Sequence, residues 1–193
     1  MTTSIQRKAA PVRRSILTAF RRSESGATAV EFGFLALPFL FLMFAIMEIA
    51  MVFWSTQVLE TAVANAARQI YTGQFQTDSA NANKTSAELA TTFKNNLCSN
   101  VTTLFDCSKV AIDIRPASFS DSPPSPIKTT GAAKTYDPSG FGYQAVGAKQ
   151  IALVTAAMEY PVMVKMLAGT AGLTNGNRII MATAAFKTEP YTP

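Results

Sequence analysis

The sequence predicts an α+β protein in which a long N-terminal helix packs on a small antiparallel sheet. An apolar run of membrane length begins near residue 27, an amphipathic helical pattern continues from it, and strand-like segments follow in the C-terminal half. The predicted organisation has four parts, in chain order: a basic leader at 1–26, a membrane-spanning helix at 27–54, an amphipathic extension at 55–73 and an α+β domain at 74–193.

The net positive charge lies entirely in the leader. The chain has 17 Lys/Arg and 12 Asp/Glu; residues 1–26 hold six of the former and one of the latter, which leaves 11 of each in 27–193. Basic residues beside a membrane span stay on the cytoplasmic side. Nucleic-acid binding would require a recognition motif that is absent from this segment. We therefore expect a cytoplasmic leader and no nucleic-acid partner.

The apolar run has the length of a membrane span. Residues 27–47 cover about 31 Å at ~1.5 Å per residue, which matches the hydrocarbon core of a bilayer. Glu48 and Trp54 would then lie near the outer interface, where polar groups and tryptophan are tolerated. A secretory signal peptide has a shorter apolar region followed by small residues, whereas here the small residues 25–27 come first.

Glu31 stands at the threshold of this span, where an isolated carboxylate is costly. On insertion scales an acid within a span costs ~2.5–3.5 kcal/mol. Cleavage after Gly26 would give Ala27 a free ammonium and make Glu31 the fifth residue, one helical turn away. That ammonium, or the ammonium of a neighbouring subunit, offsets the cost together with the positive start of the helix. We therefore predict cleavage between Gly26 and Ala27 and pairing of Glu31 with an N-terminal amine.

This arrangement resembles the signal of type IV pilin-like proteins: a basic leader, glycine at the cut, glutamate at the fifth mature position and an apolar helix. Residues 26–54, followed by ETAVANAARQIYTG at 60–73, resemble more narrowly the TadE/TadF-like minor pseudopilins of the tight-adherence (Flp/Tad) pilus system. Ile179–Tyr191 resembles them more loosely. Ala27 and Phe32 depart from the common pilins and the major pilins of this system respectively, which favours a minor subunit.

The resemblance implies a structural role in pilus assembly, with an output in adhesion or secretion. Its implied partners are a prepilin peptidase, other pilus subunits and the inner-membrane assembly platform, besides the lipid bilayer. It implies a single-pass protein of the bacterial inner membrane, with the N-terminus cytoplasmic and the C-terminal domain outside. The alternative is an uncleaved single-span anchor that presents an extracytoplasmic binding domain.

Two features of the helix have open interpretations. Pro38 removes one helical hydrogen bond, which predicts a kink that membranes tolerate. The kink is either harmless or a flexible point that helps subunits leave the bilayer. The alanine face at Ala62, Ala66 and Ala67 packs either on the chain's own domain or on a partner subunit.

The predicted outer domain contains a helix, three strands, a long loop and a second, short helix that begins at Pro161 and ends near Ala168. Thr85 and Glu88 form a capping-box pattern ahead of a helix near 86–97. Alternation of apolar residues predicts a strand near 110–115, and strands are also predicted at 150–160 and 178–187, with turn residues between them. The loop at 116–149 is rich in Ser, Pro, Gly and Thr, and its aromatic residues either pack back on the sheet or contact a partner.

The two cysteines are Cys98 and Cys107, and an extracytoplasmic location allows them to oxidise. A disulfide between them would contribute about 2–3 kcal/mol by chain entropy; the alternative is two buried thiols. The chain has no histidine, which removes the usual general base and imidazole ligand. Two thiols alone make a poor zinc site. We predict no enzyme activity, no metal and no cofactor.

Overall fold

The computed structural model describes residues 24–99, 101, 106–165 and 172–191. The chain divides into two compact units, residues 1–44 and 45–193, which are described separately. Residues 1–23 of the predicted leader lie outside the described residues.

Helix α1 runs from Glu24 to Tyr71 and continues through Pro38 without a break in its assignment. It ends where predicted, because Gly73 adopts the left-handed conformation with φ 76° that terminates many helices. The Thr72 N–H still donates to the Arg68 carbonyl at 3.0 Å, and the Gly73 N–H donates to the Ile70 carbonyl at 3.2 Å. The predicted helix and its extension are therefore one element.

Gly73 is required for both its conformation and its lack of a side chain. An added Cβ would overlap the Tyr191 ring, whose hydroxyl donates to the Val146 carbonyl at 2.7 Å. The close approach fixes the end of the chain against the end of α1. Gly131 also has a positive φ, 59°, but an added Cβ there would meet no atom within 4 Å.

We expect Gly73→Ala to destabilise the second unit more than Gly131→Ala. Both substitutions incur the cost of a positive φ, about 1 kcal/mol or more, but only the first also displaces the Tyr191 ring. Chemical denaturation of the two variants measures the difference. Equal losses would contradict the contact between Gly73 and Tyr191.

Two short helices follow α1. Helix α2 spans Gln74–Thr77, and helix α3 spans Ser86–Cys98 behind the predicted capping box of Thr85 and Glu88. The hydrogen bonds from Thr85 also lower the pKa of the Glu88 carboxyl below its usual value. A 3₁₀ turn at Cys107–Lys109 leads into the sheet.

A disulfide joins Cys98 at the end of α3 to Cys107. It ties α3 to the start of the sheet across a segment that includes residues 102–105. The prediction of oxidised cysteines agrees with this arrangement, and the alternative of two buried thiols does not.

We expect Cys98→Ser/Cys107→Ser to lower the free energy of unfolding of the second unit by about 2–3 kcal/mol, since the unfolded chain regains the entropy of this loop. Urea denaturation of the oxidised parent and the double variant measures this. A loss that persists when both proteins are compared in reductant would contradict the disulfide as its source.

The sheet has three antiparallel strands in the order β1–β4–β5. They are β1 Ala111–Pro116, β4 Ile151–Tyr160 and β5 Arg178–Lys187. All three agree with the strands predicted from the sequence. Of the short helix expected after Pro161, residues 161–165 carry no α-helix and residues 166–171 lie outside the described part.

The core lies between α1, α3 and one face of this sheet. The alanine face of α1 (Ala62, Ala66 and Ala67) is buried in it, so these residues pack on the chain's own domain. The sheet contributes alternate residues in register, such as Ile112, opposite Ala156, which in turn lies opposite Ala182. The result is the predicted α+β fold.

The segment 116–149 covers the second face of the sheet, so that both faces of β4 are buried. It contains a hairpin that the sequence did not predict, β2 Ile127–Thr130 and β3 Ala133–Tyr136. Tyr136 donates its hydroxyl to the Ala157 carbonyl of β4 at 3.0 Å. Tyr143 is buried and lies 5.8 Å from the Phe75 ring. These two aromatic side chains of the segment therefore pack back on the domain.

A buried ion pair fixes this cover to β1. The Asp113 carboxylate is almost completely buried and accepts two hydrogen bonds from the Arg115 guanidinium, at 2.6 and 2.5 Å. It also accepts from the Gly142 N–H at 3.2 Å, while Arg115 donates to the Gly140 carbonyl at 3.0 Å. The hydrogen bonds to Asp113 raise the pKa of Arg115.

Candidate processing and assembly site

The predicted cleavage site lies in the first turn of α1. Gly26 is the third residue of this helix and is half-buried, and Ala27 is exposed. The bond between them is thus part of a helix in the uncleaved chain. A peptidase would have to open this turn before it could reach the bond.

Glu31 follows one turn later and is exposed. Four residues along a helix cover about 6 Å, so Ala27 and Glu31 share one face of α1. Among the described residues, the ion pairs do not include Glu31. The carboxylate is therefore available to a partner from outside the described part of the chain.

The apolar residues around Glu31 are exposed as well. Phe32, Phe34, Leu35 and Leu37 each have between 70% and 75% of their surface exposed. A core helix of a soluble domain would bury such residues, because their transfer from water is favourable. The helix from Gly26 to Tyr71 is long and apolar enough to cross a membrane.

The second acid of the apolar run, Glu48, has partners that the sequence did not reveal. It belongs to the second unit and accepts hydrogen bonds from the backbone N–H groups of Met163 and Val164, the latter at 3.0 Å. Its position as the first charge after an uncharged run of sixteen residues was the only signal that marked it. No pattern in the sequence indicated its partners, which are more than a hundred residues away along the chain.

The structure thus brings Gly26, Ala27 and Glu31 together on the first turns of α1, with Pro38 farther along the same helix. Cys98 and Cys107 lie in the second unit, and their disulfide contributes to the stability of that unit. Within the described ranges, no group of three or more Cys, Asp or Glu side chains is placed to hold a metal ion. Within the part of the chain that the structure describes, the arrangement combines an exposed helical turn at the predicted cut, an acid outside the ion pairs and a lipid-compatible surface.

An α+β domain that follows a long apolar helix with an acid near its start is the architecture that the sequence resemblance implies for the class of pilin-like membrane proteins. Comparison with protein families narrows this class, because residues 26–68 match the model of TadE-like proteins. The match begins at the predicted cut, lies wholly within α1 and confirms the resemblance seen in the sequence. No curated protein and no solved structure matches the chain.

The match connects the chain with assembly of the Tad pilus and with the partners of that system in general. Proteins of this family are structural components of the pilus system. Together with the exposed apolar helix, the match indicates that the N-terminal part anchors the chain in a membrane.

Proposed function

We propose that the chain is the precursor of a minor pilus subunit, or pseudopilin, of a tight-adherence pilus. A prepilin peptidase cuts between Gly26 and Ala27. The matured helix then packs with other subunits at the inner-membrane assembly platform, and Glu31 binds a neighbour's N-terminal amine. The domain that follows lies outside the cytoplasm.

The observation that carries this proposal is the extent of the family match, which starts at Gly26 and continues to residue 68. A match that depended only on apolar composition would have no reason to begin at the glycine of the predicted cut. The match includes Glu31 and the small-residue face at Ala62, Ala66 and Ala67.

The absence of Glu31 from the ion pairs among the described residues supports the assembly step. An acid in a low-dielectric environment needs an opposite charge or hydrogen-bond donors. Helix α1 offers a free amine at the right distance only after cleavage. In a bundle of several such helices, the amine of one subunit can serve the acid of the next, which couples processing to packing.

The mechanism requires three properties of the chain itself. The basic leader keeps the N-terminus in the cytoplasm, so that the peptidase meets the Gly26–Ala27 bond at the membrane surface. The exposed apolar side chains keep α1 in lipid until subunits replace the lipid. The second unit holds its own core, so it can pass through assembly as a folded domain.

Complementation of a strain that lacks this chain tests the proposal. We expect the full-length chain to restore surface pili and a Gly26→Val variant to leave them absent, because the variant keeps its leader. Pili restored to the parental level by the uncut variant would overturn the pseudopilin and favour the uncleaved membrane anchor.

A further inference from the structure

Helix α1 has both buried and exposed side chains near the outer end of the predicted span. Ala45, Ser55 and Leu59 face the domain and are buried. The opposite face is apolar and open to the surroundings. Apolar side chains at the same level of the helix have more than half of their surface exposed, namely Ile46, Ile49, Phe53 and Trp54. The domain therefore begins to cover α1 at a level where the other side of the helix still has a lipid-like surface.

At that level the domain contributes the Met163 loop, which we define as Pro161–Lys165. Glu48 holds the loop on α1 by accepting the Met163 and Val164 N–H groups. Val162 points inward and is buried, whereas Met163 is 93% exposed. Lys165 is also exposed. The aliphatic part of its side chain packs so closely on Gly176 that a Cβ added there would overlap it. The loop thus displays an apolar side chain next to a cation.

The two ends of the sheet are anchored at different levels of α1. Pro161 directly follows β4, so the Tyr160 end lies near Glu48. At the other end, Ile151 is paired with Lys187, and the Glu189 N–H donates to the Tyr71 carbonyl at 2.9 Å. The 23 residues from Glu48 to Tyr71 rise about 35 Å, and β4 covers about 31 Å. Strand β4 therefore runs along α1, with the Met163 loop at the end closer to the span.

We propose that the Met163 loop binds the outer leaflet of the bilayer that α1 spans. Met163 enters the boundary between headgroups and acyl chains, and Lys165 lies at the level of the lipid phosphates. The proposal rests on the membrane anchoring in the proposed function and adds a second contact to it. The domain then has a fixed orientation on the membrane.

We assign lipid as the partner of the Met163 loop, because the exposed loop continues a surface of α1 that is already lipid-compatible. Residues 27–54 rise about 42 Å, which equals the thickness of a bilayer including its headgroups, ~40–45 Å. Glu48 and Trp54 then fall in the outer interfacial layer, where tryptophan is favoured. The loop that Glu48 holds must lie in the same layer.

Glu48 acts as the positioning residue. A carboxylate in the interfacial layer loses part of its hydration and gains from hydrogen-bond donors. The two backbone N–H groups are these donors. Because they donate to Glu48, they no longer require a hydrogen bond to water. The same pair of hydrogen bonds fixes the height of the loop on the helix.

Tryptophan fluorescence of the full-length chain in vesicles tests the proposal. Trp54 is the single tryptophan, so Trp54→Phe gives a silent background. Three reporters are added to it one at a time: Met163→Trp, Phe39→Trp within the span, and Phe119→Trp. Phe119 is fully exposed and lies beside Ile151 and Lys187, at the far end of the sheet. The vesicles contain phosphatidylcholine and phosphatidylglycerol, either without bromine or with bromine on the acyl chains at one of two depths, close to the headgroup for Met163→Trp and near the chain end for Phe39→Trp.

We expect brominated lipid to quench Met163→Trp and Phe39→Trp and to leave Phe119→Trp unquenched, with blue-shifted emission for the first two. Quenching of Phe39→Trp alone would overturn the loop contact and leave the membrane anchor intact. Quenching of none of the three would overturn the anchor and, with it, the loop contact. Equal quenching of Met163→Trp and Phe119→Trp would show a non-specific effect of the bilayer and also overturn the proposal.

A second variant tests the positioning role of Glu48. Added to the Met163→Trp reporter, Glu48→Ala is expected to reduce its quenching while Phe39→Trp stays as before. Glu60→Ala serves as the control, because Glu60 is an exposed acid of the same helix whose carboxylate accepts a hydrogen bond from nearby Gln57. Undiminished quenching in Glu48→Ala would overturn the role of Glu48.

Discussion

Replacing Gly26 with valine is expected to leave the chain at its full precursor mass in cells that process the parent. The bond to be cut lies in the first turn of α1, so a peptidase must open the helix and accommodate the residue before the cut. Valine is expected to hinder both the opening of the helix and the accommodation of the residue, because its branched side chain adds bulk at the cut. A loss of about 1.4 kcal/mol in transition-state stabilisation would already slow cleavage tenfold. Mass spectrometry of membrane extracts measures the ratio of precursor to product.

Gly33→Val is the matched control for this result. Gly33 belongs to the same helix, seven residues farther on, and an added Cβ there would meet no atom within 4 Å. Its substitution makes the same chemical change outside the cut, so processing should proceed as in the parent. Equal loss of processing in both variants would mean that valine disturbs the helix as a whole, and it would contradict the assignment of Gly26.

Replacing Glu31 with alanine is expected to separate processing from assembly. The variant should be cut between Gly26 and Ala27 as the parent is, because the scissile bond is unchanged. It should be nearly absent from isolated pili, because no acid remains to bind the amine of a neighbour. The substitution also removes a membrane insertion cost of ~2.5–3.5 kcal/mol, so poor insertion cannot explain the loss.

Three further variants define the chemistry at Glu31. Glu31→Gln keeps the size of the side chain and removes its charge, so it should fail as alanine does. Glu31→Asp keeps the charge on a shorter side chain and should recover part of the assembly. Glu60→Ala removes an acid of the second unit and should assemble as the parent does. Normal incorporation of Glu31→Ala would show that the amine pairing is wrong.

The elements that follow a strong local pattern could be predicted from the sequence. Helix α1 shows an apolar run followed by a helical period, and α3 begins with a capping box. Strand β1 alternates apolar and other residues, and β4 and β5 are short, mostly apolar runs. Each pattern depends on neighbours within a few residues. The sequence therefore indicated these elements and the candidate disulfide pair.

The features that were missed depend on contacts between distant residues or on weak patterns. The β2–β3 hairpin has no apolar alternation, and all four residues of β2 are exposed. Its single signal was Gly131 in a two-residue loop. The bonds from Glu48 to the Met163 loop join residues whose proximity follows only from the way the sheet runs along α1.

Identification of the mature N-terminus tests the proposed cleavage between Gly26 and Ala27 most directly. The protein should be extracted from membranes of cells with a working pilus system, and its N-terminal peptide should be identified by mass spectrometry. The account predicts that this peptide begins at Ala27, with Glu31 as its fifth residue. Recovery of only the full-length chain that still carries residues 1–26 would contradict it.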